Sequence, residues 1–287
     1  MTIKDTLIYK LQDVLPQHAL SGLMSKLTHC ENKIWKNLFI RQIIKHYGVN
    51  MDEALEPDIN AYKSFNHFFT RQLKPEVRPL VSELGAVASP ADGEVSQTGQ
   101  ITNGDIFQAK GKSFTAVDLL GGDAERAEPF NNGVFTTIYL SPKDYHRLHM
   151  PLTGTLREMV HIPGKLFSVN TATTRSVPGL FAKNERVVAI FDTEVGPMAL
   201  VLVGAIFVSS IETVWHGVVT PPTASTVMTW FYQKKKAVTL QKGEEMGRFN
   251  MGSTIIVLFG KDSVKWAEDF SADKPVKLGE KIGQVIL

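Results

Sequence analysis

Cysteine is almost missing from this sequence: Cys30 is the only one in 287 residues. A disulfide framework, a Cys-x-x-Cys redox pair and a thiolate metal cluster are therefore excluded, and a reducing compartment, or one indifferent to redox, suits the chain. Net charge is equally scarce, since 31 Lys+Arg against 29 Asp+Glu leave +2, far from the basic excess of a dedicated nucleic-acid binder. The longest apolar run, Met198 to Val208, has 11 residues, whereas a bilayer-crossing helix needs roughly 20. Also absent are G-x-S-x-G, G-x-x-x-x-G-K-[ST] and G-x-G-x-x-G, which argues against an α/β-hydrolase, a P-loop protein and a dinucleotide enzyme. The first residues carry Asp5 and Asp13 and no A-x-A site, so they do not read as a secretory signal. What is present, 43% hydrophobic and 21% charged residues, is the composition of compact globular domains.

The small net charge is unevenly placed. Residues 1 to 47 hold seven basic and three acidic side chains, +4, which leaves −2 for the remainder. Apolar residues recur there at helical spacing: Leu7, Ile8, Leu11, Val14 and Leu15; Leu20, Leu23, Met24 and Leu27; Ile34, Trp35, Leu38, Phe39, Ile43, Ile44 and Tyr47. Three short amphipathic helices follow, with Pro16 and Gly48 at stops. Basic residues between the apolar positions suit a helix lying on an anionic bilayer, although a helical subdomain packed on a core has the same pattern.

From about Ala86 the texture becomes β-rich runs punctuated by glycine: Gly93 to Ile101, Val134 to Leu140, Val187 to Phe191, Met198 to Val208, Ile211 to Val219 and Thr254 to Phe259. No alternation of strands with long helical patterns appears, so a doubly wound sheet is not expected. Lys242-Gly243-Glu244-Glu245-Met246-Gly247 is echoed 36 residues later by Leu278-Gly279-Glu280-Lys281-Ile282-Gly283. Tight glycine turns feeding strands in two similar halves would leave such an echo.

Chemistry concentrates in three segments. In Tyr139 to Pro151, His146 and His149 are three apart; on one helical turn they would face the same way, as a proton-transfer pair or, with a third ligand, a metal site, and a structural pair reads equally well. Ser89-Pro90-Ala91-Asp92-Gly93 places a carboxylate in a turn at the mouth of a strand, which alone signals only a turn. Gly252-Ser253-Thr254 places a hydroxyl after glycine, sterically open at the Gly252 carbonyl, and by itself reads as a turn entering a strand.

Together with Phe167-Ser168-Val169-Asn170, Phe181 to Arg186, Ile211 to Trp215 and Met246 to Thr254, these blocks resemble, in order and spacing, the bacterial phosphatidylserine decarboxylases. The resemblance runs from about Ala61 to Phe259, with Met251 standing where the family usually has Leu, a volume-conserving exchange. It implies an α+β protein: an amphipathic helical membrane-associating region over 1–70 and a β-rich, sandwich- or barrel-like catalytic domain over 71–287.

The resemblance further implies a proenzyme that cleaves itself between Gly252 and Ser253. Ser253 Oγ attacks the Gly252 carbonyl to form an ester; elimination then releases the upstream chain as a carboxylate and leaves dehydroalanine, which hydrolyses to a pyruvoyl group and ammonia. A neutral hydroxyl needs a base for that attack. By resemblance the base is His149, oriented by Asp92, in a triad Asp92, His149 and Ser253. In turnover the pyruvoyl group forms a Schiff base with phosphatidylserine and takes up the electrons freed with CO2, with no metal and no pyridoxal phosphate. His146 is the expected general acid that protonates the product carbon on the way to phosphatidylethanolamine. The expected partners are phosphatidylserine, an anionic membrane surface and the two cleavage fragments as a heterodimer, with a homodimer open and no nucleic acid. The expected location is the cytoplasmic face of the cell membrane, peripherally attached.

Three other readings compete. A serine hydrolase would use Asp92, His149 and Ser253 repeatedly in an intact chain. A pyruvoyl decarboxylase of a soluble amino acid would ignore vesicles, and a non-enzymatic carrier would tolerate Ser253→Ala.

Overall fold

The computed structural model describes residues 12–109, 111–208, 210–252 and 254–286. The first expected helix, built on Leu7, Ile8 and Leu11, lies outside them up to Leu11, as does Ser253. The architecture is α+β, and every pairing of the described strands is antiparallel.

A nine-stranded sheet runs in the order Met228–Phe231, Gly154–Ile162, Arg186–Thr193, Gly196–Val203, Thr254–Phe259, Val134–Tyr139, Gly93–Gln100 and Pro275–Val276, with Thr239–Leu240 also on Gly154–Ile162. Among the described strands this order does not close into a barrel. Thr254–Phe259 lies at its centre, paired with Gly196–Val203 and Val134–Tyr139, and all six of its residues are buried. Both faces are covered, which is why it reads as an unbroken apolar run rather than an alternation. Thr254 is paired with Val203 on one side and Tyr139 on the other.

Two expected strands are shorter than the apolar pattern suggests. The run from Met198 leaves the sheet after Val203 and turns at Phe207, whose φ is +70°. Ile211 to Val219 is a hairpin of Ile211–Thr213 and Gly217–Thr220, turned at Gly217 with φ +77°. Apolar continuity does not reveal a reversal inside a buried segment.

The sequence echo is a true structural repeat. Gly243 N donates to Met150 O (2.9 Å) and Gly279 N to Ser89 O (3.1 Å), while Met150 N and Ser89 N donate back to Glu244 O and Glu280 O (2.9 and 2.8 Å). The two halves also exchange bonds with each other, His149 N to Pro90 O (2.9 Å) and Ala88 N to Pro151 O (3.1 Å). Lys242 N donates to Thr153 Oγ1 (3.0 Å) where Leu278 N donates to Asp92 Oδ1 (2.9 Å). Asp92 therefore occupies the position of Thr153 in the other half, and the reciprocal exchange brings its loop against His149.

The helical region has its own small core of Ile40, Val49, Tyr62, Phe65, Phe68 and Phe69, against which Met251 packs. Helix Gln17–Thr28 docks through polar residues: Gln17 Oε1 accepts from Leu166 N (2.6 Å) and Ser21 Oγ from Phe207 N (3.2 Å). Its buried residues are Gln17, Ser21 and Thr28, whereas Leu23 is exposed. Helix Lys33–Tyr47, capped by Asn32 and ended by Gly48 at φ +70°, buries Lys36 and Ile40 and exposes Ile34 and Leu38.

Candidate active site

His146 and His149 do not share a helical turn. Arg147–His149 is a strand, and residues separated by an odd number in extended chain point to opposite faces. His146 faces Phe69, with ring centroids 4.0 Å apart, and the Gly252 backbone. His149 faces Gly243 and Tyr145.

The turn before them is set by local chemistry. Asp144 Oδ2 accepts from both Ser141 N and Ser141 Oγ at 2.7 Å, a short acid–hydroxyl closure that competes well with regular structure. The Asp144 carbonyl accepts from His146 Nδ1 at 2.8 Å. A carbonyl only accepts, so Nδ1 carries the proton and Nε2 presents a bare lone pair. That Nε2 is fully buried without a hydrogen-bond partner. Desolvation pushes the His146 pKa down to about 3, against a smaller raising effect of the Asp144 carbonyl, and keeps the ring neutral.

Gly252 lies against this nitrogen. A Cβ placed on it would be 3.4 Å from His146 Nε2 and 3.3 Å from Leu140 O. The preceding Met251 has φ +98°, a left-handed value that strains a residue bearing a side chain. An unpartnered imidazole nitrogen, Gly252 and the strained backbone of Met251 thus meet immediately upstream of the expected cleavage point.

Asp92 and His149 are close but not hydrogen-bonded in this state. Arg78 Nε donates to both Asp92 oxygens (2.8 and 3.1 Å), and Leu278 N donates to Oδ1. His149 Nδ1 donates instead to Gly243 O (2.8 Å), and Nε2 accepts from Tyr145 Oη (3.2 Å). Burial lowers the His149 pKa and pushes the Tyr145 hydroxyl up to about 12, so Tyr145 stays protonated and donates. Asp92 reaches the His149 ring through space, as a minor influence that favours its charged form. Gly93, after Asp92, has no room for a side chain: its Cβ would lie 2.3 Å from Tyr139 O.

Two cavities flank the Thr254 end of the central strand. One, of about 460 Å³, is lined by Arg71, Arg78, Asp92, Tyr139, Ser141 and Tyr145, among others. The other, of about 200 Å³, is lined by Ser21, Leu166, Glu185, Gly204 and Ser210, among others. Among the described residues no group of three or more His, Cys, Asp and Glu side chains is arranged to hold a metal.

Arg71, Arg78 and Tyr145 carry no role in the sequence reading. An arginine closing the aromatic run Phe65 to Phe69 is the one linear signal for Arg71; nothing linear pairs Arg78 with Asp92.

A family model described as phosphatidylserine decarboxylase matches residues 65–284, and a second, described as PSD, matches residues 7–48. The chain is 55% identical over 287 residues to a phosphatidylserine decarboxylase proenzyme of Stutzerimonas stutzeri, covering 99% of this chain and 96% of that one. It is 56% identical over 283 residues to the proenzyme of Bordetella pertussis, with 98% and 95% covered. The Pseudomonas fluorescens proenzyme is 55% identical over 282 residues, with 98% of each chain covered. With a family model spanning most of its length and relatives this similar over nearly all of it, the chain belongs to the phosphatidylserine decarboxylase family.

Proposed function

We propose that this protein is made as a proenzyme, cleaves itself between Gly252 and Ser253, and then decarboxylates phosphatidylserine to phosphatidylethanolamine. The single observation that carries the reading is the bare, buried Nε2 of His146 against Gly252, in a chain more than half identical to named proenzymes. That orphaned nitrogen also fits a pyruvoyl group derived from Ser253, whose carbonyl would supply the electron sink for loss of CO2.

For cleavage, Ser253 Oγ attacks the Gly252 carbonyl while a neutral imidazole takes its proton. His149 is the assigned base, with Asp92 favouring the imidazolium that forms. In the described state Tyr145 occupies its Nε2, so rotation of the phenol must precede that step. In turnover His146 must first take up a proton at Nε2, which the described state leaves bare, and then delivers it at the substrate's α-carbon, its ring held by the Nδ1–H bond to the Asp144 carbonyl. One observation favours a second division of labour, with His146 as the cleavage base: its Nε2, not that of His149, adjoins Gly252.

The helices point to a lipid surface. No described helix is long and apolar enough to cross a membrane. Gln17–Thr28 nonetheless buries polar side chains and exposes Leu23, and its neighbour exposes Ile34 and Leu38, an inversion that leaves apolar groups for a bilayer. Peripheral attachment follows from this reading, and the cytoplasmic face is carried by the family resemblance.

The intact mass under denaturing conditions tests it first. A 252-residue and a 35-residue fragment, the smaller blocked to N-terminal sequencing, together with CO2 release from phosphatidylserine vesicles, are the expected result. A single unprocessed active chain overturns it and favours a serine hydrolase.

A further inference from the structure

Arg71 and Arg78 line the same cavity of about 460 Å³, and their circumstances are opposite. Arg78 gives its nitrogens to Asp92, Glu53 and the Val77 carbonyl. Among the described residues Arg71, 4% exposed, makes one hydrogen bond, from Nη2 to Lys143 O at 3.1 Å. Its Nε and Nη1 are buried without a partner. The Phe68 ring lies 5.4 Å from its guanidinium carbon. A guanidinium taken out of water with donors unmet is costly unless an anion arrives to complete it.

The neighbourhood ties this cation to the reacting bond. Phe69, two residues before Arg71, packs its ring tilted against His146, and the positive field of Arg71 is felt at the His146 ring. Tyr139 and Ser141, which also line the cavity, flank Leu140, whose carbonyl adjoins Gly252. The larger cavity carries carboxylates as well as cations, but Glu53 and Asp92 are claimed by Arg78 and Asp144 by Ser141, whereas the smaller cavity is lined by Glu185, which already accepts from His161 and Thr220.

We propose that Arg71 is the seat for the phosphate of the substrate headgroup and so a specificity-determining residue for phosphatidylserine over unphosphorylated amines. The inference rests on the functional reading above. Phosphatidylserine offers two anions, and the choice between them follows from the reaction. A salt bridge to the carboxylate would stabilise the group that must leave, raising the barrier, whereas the phosphodiester is unchanged through turnover. Holding the phosphate is uniform binding, which appears in KM rather than kcat. The Nε and Nη1 donors and the fixed planar charge suit phosphate oxygens.

The test compares processed wild type with Arg71→Met and Arg71→Lys, counting active enzyme by the released 35-residue fragment. The expected result for Arg71→Met is a KM for phosphatidylserine in mixed micelles raised roughly 10- to 100-fold with kcat little changed, as for loss of a charge-assisted bond. Arg71→Lys should recover part of it. Glycerophosphoethanolamine, measured by calorimetric titration, should bind wild type and weaken by a similar factor in Arg71→Met. An unchanged KM and unchanged glycerophosphoethanolamine binding overturn the proposal. If Arg71→Met fails to process, inorganic phosphate decides on wild type: competition with phosphatidylserine supports the headgroup site, and no competition overturns it, including the case of free phosphate binding without competing. A wild type that binds glycerophosphoethanolamine but releases no CO2 from phosphatidylserine would sink the functional reading while leaving the anion seat standing.

Discussion

His146 Nε2 looks onto Gly252 at the end of the central sheet: a methyl group on Gly252 would stand 3.4 Å from that nitrogen and 3.3 Å from Leu140 O. The approach to Leu140 O is tight enough that the backbone must give by a few tenths of an ångström to an added side chain, and the approach to His146 Nε2 is at the edge of ordinary contact. Gly252→Ala should therefore displace the carbonyl that Ser253 attacks and slow self-cleavage by about tenfold or more, since small misplacements of reacting groups are expensive. The check is the time course of fragment release after synthesis; cleavage at the wild-type rate would remove this contact from the mechanism.

The two histidines should separate in function. With the roles proposed, His149→Ala blocks fragment release, whereas His146→Ala is cleaved and then fails to release CO2. Tyr145→Phe, which removes the donor to His149 Nε2, should free that nitrogen and leave cleavage at least as fast. Mass spectrometry paired with a CO2 assay reads all three. A His146→Ala chain that stays whole would transfer the base role to His146.

Acid should weaken the fold through His146. Its folded pKa of about 3 is below the ordinary 6.5, so the unfolded chain takes up the proton first. The contribution is present above 6.5 and is lost progressively as pH falls toward 3. His149 shifts in the same direction, also through burial. Urea midpoints of Ser253→Ala and of Ser253→Ala with His146→Asn, compared across that window, should show a flatter pH dependence in the double variant.

Asp92 is half of a buried ion pair with Arg78. Asp92→Asn leaves Arg78 with Glu53 alone among the carboxylates it now binds. Removal of one partner of such a pair costs about 3–5 kcal/mol, read as a lower urea midpoint in the uncleavable Ser253→Ala background. Stability within experimental error of the parent would show that the pair is not structural.

Membrane attachment should depend on side chains rather than on the whole segment. Leu23→Glu with Ile34→Glu should reduce binding to anionic vesicles and leave fragment release intact, because both side chains face outward. Deletion of residues 1–47 is a harsher change: it removes Ile40 from the small core that holds Met251 and should slow cleavage as well. Unchanged vesicle sedimentation of the double variant would remove these helices from the membrane role.

Much of this protein is legible in one dimension. The apolar run Thr254 to Phe259 is a strand with those limits, because a fully buried strand announces itself through local β-branched and aromatic content. The repeated Lys-Gly-Glu and Leu-Gly-Glu segments mark two equivalent turns, since each needs glycine at positive φ followed by an acid that caps the turn. The ordered motifs likewise point to the family. The partners of the site residues are different in kind. Spacing alone allowed His146 and His149 to share a face, and the strand sends them to opposite ones. Arg78 claims Asp92 and the Gly243 carbonyl claims His149 Nδ1, across 14 and 94 residues of chain. Hydrogen bonds and desolvation depend on what the folded sheet brings within about 3 Å, so the sequence determined which groups exist, and only the tertiary structure decided that Arg71 and His146 are among those left buried with unmet nitrogens.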